Sequence, residues 1–276
     1  MKVSCHLITW GENLLTGMKE ASELGYRGCE TFTHLAMNYE NDLETFQALL
    51  NEHGFQLSAL YGGGRFSEPA KKAAIVEENT RVAKFLAANG SDRIVFGPQG
   101  PRSEGGTTLD ELKAAAEAIN EAAKSCHDLG VKACVHPHLG TEIQNENELD
   151  AIMEMTDPDY VYFCPDTAHL AKAGMDPLEV IKRYRSRIEY VHLKDISPDQ
   201  ASAEDFPILS GNEAMPIFCE LGLGTLPSSL KEVTSYLKDT GYDGWMTVEI
   251  DKSTSTPYQS LKTCREFVTN ELKLTL

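Results

Sequence analysis

The chain has 276 residues, a formal net charge of −17 and 41% hydrophobic residues. A chain of this length buries a large core, and this composition excludes a disordered protein. The acidity, with no basic run anywhere, argues against a nucleic-acid partner, which needs clustered Lys and Arg to displace counterions from phosphates; it leaves a metal cation open.

In chain order, one phrase recurs: a helical segment ends, a glycine follows, and a strand begins. LGYRGCETF has Gly25, HGFQLSALY has Gly54, NGSDRIVFG has Gly90, LGVKACVHP has Gly130 and TGYDGWMTVEI has Gly241. Glycine takes the left-handed backbone that ends a helix without a Cβ clash. The pattern predicts strands at Val3–Thr9, Tyr26–Phe32, Phe55–Tyr61, Asp92–Gly97, Val131–His136, Tyr160–Pro165, Ile188–Leu193 and Gly244–Ile250, with helices between. Over Thr108–Leu129, the residues Leu109, Leu112, Ala116, Ile119, Ala123 and Cys126 form one helical stripe. Thr108 with Glu111 and Ser229 with Glu232 read as capping boxes, and Asp176-Pro177 as an N-cap followed by proline.

Eight strands alternating with helices predict an α/β fold, a single (β/α)8 TIM barrel over residues 1–276. The competitor, an open doubly wound sheet, usually carries a glycine-rich phosphate loop after its first strand, where this chain reads HLITWGENLL. Gly62-Gly63-Gly64 lacks the Lys-Ser/Thr of a P-loop and reads as a loop giving backbone clearance. The irregular stretch Ile196–Pro227 is expected to form part of a lid.

The seven cysteines are odd in number and form no C-x-x-C, so neither a disulfide framework nor a zinc knuckle is indicated. Cys5, Cys29, Cys134 and Cys164 fall in strand-like runs, where a thiol acts as a small apolar group, which fits a reducing, cytoplasmic setting. Met1-Lys2 leads straight into VSCHLIT, so no secretory leader is expected, and no apolar run approaches membrane-spanning length.

A barrel of this kind places its active site at the carboxyl ends of the strands. There the sequence sets His6 and Trp10, Glu30, Tyr61, His136 and His138, Asp166 and His169, His192 and Lys194, and Glu249. Singly, each has a plainer role: Asp166 as a helix cap, His192 as a bonded core group, Lys194 as a solvated charge, Glu30 as a loop cap. Tyr61 and Trp10 would then be packed aromatics, and His138 a loop brace. Recurrence of such residues at successive strand ends favours one shared site for a divalent cation. Mixed nitrogen and oxygen ligands suit Mn2+, Co2+, Fe2+ or Zn2+ better than Ca2+. Mn2+ and Co2+ are favoured, and Mg2+ is allowed.

The segments HPHLGT, DTAHLAKAGMDPLEVIKRY, RIEYVHLKDI, LGLGTL and GWMTVEI, in this order, resemble the sugar phosphate isomerase/epimerase superfamily of xylose-isomerase-like barrels, its inosose dehydratase branch in particular. The resemblance implies one divalent metal held by residues of strands five to eight. Asp166, His192 and Glu249 match metal positions. His169 and Lys194 match substrate contacts. Where many relatives have Glu on strand five, this chain has His136, and where the branch often reads G-T-x-V-E-T it has Gly140 to Asn145; His136 is the first choice of fourth ligand and Glu142 the alternative.

The resemblance further implies a keto-sugar or keto-polyol substrate. The cation would stabilise an enediolate after removal of the proton beside a carbonyl, leading to isomerisation, epimerisation or loss of water. His136 breaks the symmetry of a two-glutamate epimerase and raises the weight of one-base chemistry. The expected roles are Glu249 as ligand and base, with Glu30, His169 and Lys194 orienting hydroxyls or returning the proton. His6, Trp10, Tyr61 and His138 would bind substrate, and the segment Phe206 to Pro227 would exclude water. The rivals are an AP endonuclease-like hydrolase, which needs several metals and a basic DNA surface, and a non-catalytic sugar-binding barrel. Barrels of this type often pair, so a homodimer is among the assemblies allowed.

Overall fold

The computed structural model describes residues 1–198, 218–226 and 228–276. The barrel strands are β1 (Lys2–His6), β2 (Gly28–Phe32), β3 (Gln56–Gly64), β4 (Arg93–Pro98), β5 (Lys132–Val135), β6 (Val161–Phe163) and β7 (Tyr190–Leu193). A two-stranded antiparallel hairpin of β8 (Asp195–Ile196) and β9 (Phe218–Cys219) follows, and β10 (Trp245–Val248) is the last barrel strand. The eight-stranded sheet runs β6-β5-β4-β3-β2-β1-β10-β7. Every pairing is parallel. Two isolated parallel bridges, Phe163 to Ile188 and Asp166 to His192, join β6 to β7 and close the ring. The expected (β/α)8 barrel is what forms.

The glycine phrase works as read. All five glycines have positive φ; at Gly54 (φ 67°, ψ 32°) the amide donates back to Leu50 O and Asn51 O, ending the helix Leu43–His53. Both capping boxes are present, on the helices Leu109–His127 and Leu230–Asp239, and Asp176 caps the helix that begins at Pro177. Leu112, Ala116, Ile119, Ala123 and Cys126 are buried, but Leu109 is 59% exposed. It stands at the first helical position, before that face reaches the sheet.

Two boundaries differ from expectation for identifiable reasons. The first strand stops at His6 because His6 Nδ1 accepts a hydrogen bond from Ile8 N at 2.9 Å, turning Leu7–Trp10 into a 3-10 helix. Gly62, Gly63 and Gly64 are not a loop: they extend β3 and pair with Phe96, Gly97 and Pro98. Backbone clearance is still their use, since a Cβ on Gly63 would lie 2.3 Å from Gly97 O. The expected lid falls largely on residues 199–217 and 227, outside the described residues. Of its described part, Gly222 N and Gly224 N donate to Asp195 Oδ2, so the LGLG run is a backbone grip on the residue after Lys194.

Outward-facing residues of the strands, such as Val3, Cys5, Ile94, Phe96 and Val191, join the helices in the main core. Inward residues stack in layers with the two-residue period of a strand. The middle layer holds Ala59, Val95, Cys134, Cys164 and Tyr190, with hydroxyl pairs Ser4–Thr247 at 2.6 Å and Ser58–Tyr190 at 2.7 Å. One period further on come His6, Glu30, Tyr61, His136, Asp166, His192 and Glu249. The register of β2 on β3 shifts between Cys29 and Glu30, a bulge of the kind that re-aims side chains beside a site. All seven cysteines are free and buried. No described helix is long and apolar enough to cross a membrane.

Candidate metal centre

Each strand that carries a polar inward residue lifts it to the carboxyl-end layer. His136, Asp166, His192 and Glu249 meet there, each offering one ligand atom, with these atoms within 4.8 Å of one another. All four are buried. The decisive detail is which atoms lack partners. His136 Nε2, Asp166 Oδ2, His192 Nδ1 and Glu249 Oε2 are buried without a hydrogen bond, while the other end of each group is tied down. Buried polar atoms normally find a partner, so four such atoms converging unpaired form a cluster that could hold a cation.

The partners on the far side fix each candidate ligand. His136 Nδ1 lies 3.4 Å from Cys164 O; a carbonyl only accepts, so Nδ1 carries the proton and Nε2 the lone pair. Asp166 caps the helix Thr167–Lys172: Oδ1 accepts from Ala168 N and His169 N, each at 2.8 Å, and Oδ2 is left over. His192 Nε2 is 2.8 Å from Glu30 Oε2, which directs Nδ1 inward. Nδ1 stands 2.6 Å from Glu249 Oε2, the distance of an ion pair when the ring is protonated. Cys164 forms a further candidate set with His136 and His192, but burial pushes its thiol up, which disfavours the thiolate a metal needs.

The electrostatics are those of a dry, crowded pocket. Burial lowers the pKa of His136, His138 and His169, keeping them neutral, the form that offers a lone pair. Burial would lower His192 as well, but the carboxylates of Glu30 and Glu249 outweigh it and raise it well above the usual value. Burial pushes Asp166 up to about 6, against the pull of Lys194. Burial would also raise Glu249, yet Lys194 and His192 hold it well below the carboxylate range.

Lys194 is fully buried, 3.5 Å from Asp166 Oδ2, 3.2 Å from Glu249 Oε1, 2.8 Å from Asp251 Oδ1 and 3.2 Å from His169 Nε2. An ammonium only donates, so His169 Nε2 accepts from it; the amide of Leu139, at 3.4 Å from Nδ1, is the weaker claim on that ring. His138 packs on His169 with ring centroids 3.8 Å apart. Tyr61 lies parallel to His192 at 6.4 Å and edge-on to His136 at 5.5 Å. It fits there because position 97 has no side chain: a Cβ on Gly97 would lie 2.4 Å from the Tyr61 ring. His6 packs against Tyr61 and against Phe32.

Of the residues expected at the site, the structure thus gathers His6, Glu30, Tyr61, His136, His138, Asp166, His169, His192, Lys194 and Glu249. Glu30 is fully buried against His192 rather than facing open space. Trp10 is elsewhere: its indole donates to Glu20 Oε2 at 2.7 Å and packs on the helix Leu14–Glu23 at Gly17. Glu142 does not join the ligands, because both its oxygens accept backbone amides, Phe66 N at 2.7 Å and Ser67 N at 2.8 Å. Two neighbours went unforeseen. Asp251 was readable, one strand period beyond Glu249. Phe218, whose ring lies 4.7 Å from Lys194 Nζ, arrives from the β8–β9 hairpin and had no signal.

Comparison with known proteins places this geometry. A family model described as Xylose isomerase-like TIM barrel matches residues 18–267. The inosose dehydratase of Geobacillus kaustophilus is 29% identical over 269 residues, covering 91% of this chain and 85% of that protein. Among solved structures, the probable 3-DHS dehydratase AsbF of Bacillus anthracis, involved in petrobactin synthesis, has a TM-score of 0.82 at 17% identity, covering 98% of this chain and 100% of that one. The IolI protein with a bound zinc atom has a TM-score of 0.79 at 20% identity, covering 99% and 98%. At these identities the two structures speak to the fold.

Proposed function

We infer the chemistry of this site from a premise and an observation: the chain belongs to the xylose isomerase-like TIM barrel family, and four buried atoms without hydrogen-bond partners converge at the ends of its strands. We read residues 1–276 as one barrel domain, a divalent-metal-dependent enzyme acting on a small keto-sugar or keto-polyol. Within that class we read it as a dehydratase of the inosose type. The likeness to inosose dehydratase supports the reaction, and the zinc atom carried by IolI is in keeping with a metal on this fold.

His136 Nε2, Asp166 Oδ2, His192 Nδ1 and Glu249 Oε2 would hold the cation. When bound it would supply Lewis-acid polarisation of a substrate carbonyl and its neighbouring hydroxyl, a role open to Mn2+, Co2+, Fe2+, Zn2+ or Mg2+. Glu249 stays anionic and is the leading base for the proton on the carbon beside the carbonyl. The C–H electron pair becomes a new C=C bond as the C–O bond one carbon further breaks. The hydroxyl leaves with a proton as water, and the enol ketonises to a diketone. Lys194, whose ammonium touches Glu249 Oε1 and His169 Nε2, is placed to give that proton to the departing hydroxyl and to recover one from Glu249, while neutral His169 and His138 orient hydroxyls. Glu30 orients His192, and Tyr61 and His6 give the substrate a wall.

Dehydration is preferred to epimerisation because the strand-five position carries His136, tied to Cys164 O and held neutral by burial, in place of the second carboxylate of a two-glutamate epimerase. The test is incubation of the metal-loaded protein with an inosose and a panel of keto-sugars in D2O, read by mass and proton NMR. Loss of one water from the inosose, abolished by chelation, is expected. Exchange of a carbon-bound proton without water loss would point to isomerase or epimerase chemistry. Neither change in a folded, metal-loaded protein would leave a non-catalytic barrel, and tight binding of DNA at low salt would move the reading toward the endonuclease relatives.

A further inference from the structure

We propose that Asp251 is a positioning residue of the metal centre that acts through Lys194: it draws the ammonium away from Asp166 and Glu249 and so keeps their carboxylates open to a divalent cation. The inference rests on the metal-dependent reading given above.

The geometry sets up a competition. Lys194 Nζ lies 3.5 Å from Asp166 Oδ2, one of the four unpartnered ligand atoms, and 3.2 Å from Glu249 Oε1. Ammonium and metal ion therefore address the same two carboxylates in a pocket with little water to screen them, where like charges repel strongly. Lysine is a compact charge on a flexible stem with three donors, so its position follows whichever acceptor holds it best. The shortest of its contacts is to Asp251 Oδ1, at 2.8 Å. Asp251 stands one strand period beyond Glu249, with its side chain 25% exposed, on the outer side of Lys194 from the buried cluster. On the same side, His169 Nε2 at 3.2 Å is a neutral acceptor and a weaker hold. Without the Asp251 charge, Lys194 settles onto Glu249 and Asp166.

The experiment is titration of the metal-free full-length protein with Co2+, following its d–d absorption under chelator competition, for the wild type, Asp251→Asn, Asp251→Glu, Lys194→Met and the Asp251→Asn/Lys194→Met pair. Asp251→Asn should weaken Co2+ binding by about tenfold or more, the scale of an outer partner of a metal ligand, with band positions unchanged because the ligands are the same. Asp251→Glu should restore most of the affinity. Lys194→Met should tighten binding, and adding Asp251→Asn to it should change nothing further. Unchanged affinity in Asp251→Asn, an altered band pattern, or an equal loss in the Lys194→Met background would overturn the proposal. Should Asp251→Asn fail to fold, Asp251→Ser replaces it, and Lys194→Met decides alone if both fail: binding no tighter than the wild type refutes it. A wild type that binds no Co2+ refutes the metal reading and this proposal together. Wild-type binding that disappears in Asp166→Asn, with an additive cycle, refutes only this proposal.

Discussion

Asp166 and His192 face each other across the seam of the barrel: their backbones form a parallel bridge between β6 and β7, and their side chains bring Oδ2 and Nδ1 to 4.0 Å. Ring closure and the gathering of the candidate site are thus one event, since the pairing that completes the barrel also delivers two of the four clustered atoms.

Replacing Asp166 with Asn separates its two roles. The amide oxygen can still cap the helix Thr167–Lys172, while the anionic ligand is gone. Far-UV circular dichroism should be unchanged, metal content should fall to background, and metal affinity should drop by more than about a hundredfold, beyond the usual cost of losing an outer partner. Full metal content and turnover in this variant would remove Asp166 from the ligand set.

Glu30→Gln tests the orientation of His192. The amide is a weaker acceptor for Nε2–H and lacks the charge that favours the inward-facing Nδ1 lone pair. Metal affinity should fall by about 10- to 100-fold with folding intact; equilibrium dialysis against a metal buffer measures it. Glu30 would otherwise be a direct substrate contact, and its loss would raise KM at unchanged metal affinity.

Gly97→Ala tests the Tyr61 wall. The new methyl would meet the ring at 2.4 Å and its hydroxyl at 2.5 Å, so Tyr61 must shift. Overpacking of this kind costs about 1–3 kcal/mol. The expected outcome is a modest loss in thermal stability with a larger rise in KM than change in kcat, measured side by side with Tyr61→Phe.

Glu148 carries a pH prediction. It accepts from Arg102, Thr107 N, Gln144 N and Asn145 N, fastening the loop after β4 to the loop after β5. Burial would raise its pKa, but Arg102 and these amides outweigh burial and lower it from 4.5. A depressed carboxylate stabilises the folded state above its unfolded pKa, and the stabilisation is lost as pH falls below 4.5 through the folded value. Glu148→Gln should cost about 3 kcal/mol near pH 7, a typical price for breaking a buried pair, and the gap to wild type should narrow on acidification below pH 4.5. Urea denaturation at a series of pH values checks it; a gap that widens in acid would contradict it.

Much of the barrel was legible because a strand and a helix leave different periods in the sequence, and because the left-handed glycines punctuate them. The clustering of the candidate site residues was legible for the same reason: a two-residue period takes Cys134 to His136, Cys164 to Asp166 and Tyr190 to His192. That period, carried one step past Glu249, reaches Asp251, which was overlooked. What escaped was decided by partners distant in sequence. Nothing in the Glu142 neighbourhood announces that Phe66 and Ser67 supply the amides that occupy it. Trp10 stands four residues past a strand that His6 ends early, and the turn carries its ring away to Glu20. Gly62 to Gly64 have the composition of a loop but the pairing of a strand, because Gly97 opposite lets the two backbones approach.

The weak seam has a mechanical consequence. A ring of staves is only as firm as its last joint, and here that joint has two isolated bridges where its neighbours have continuous ladders. An ion gripped from both sides of it would act as a rivet, so occupancy and resistance of the whole ring to opening would rise and fall as one.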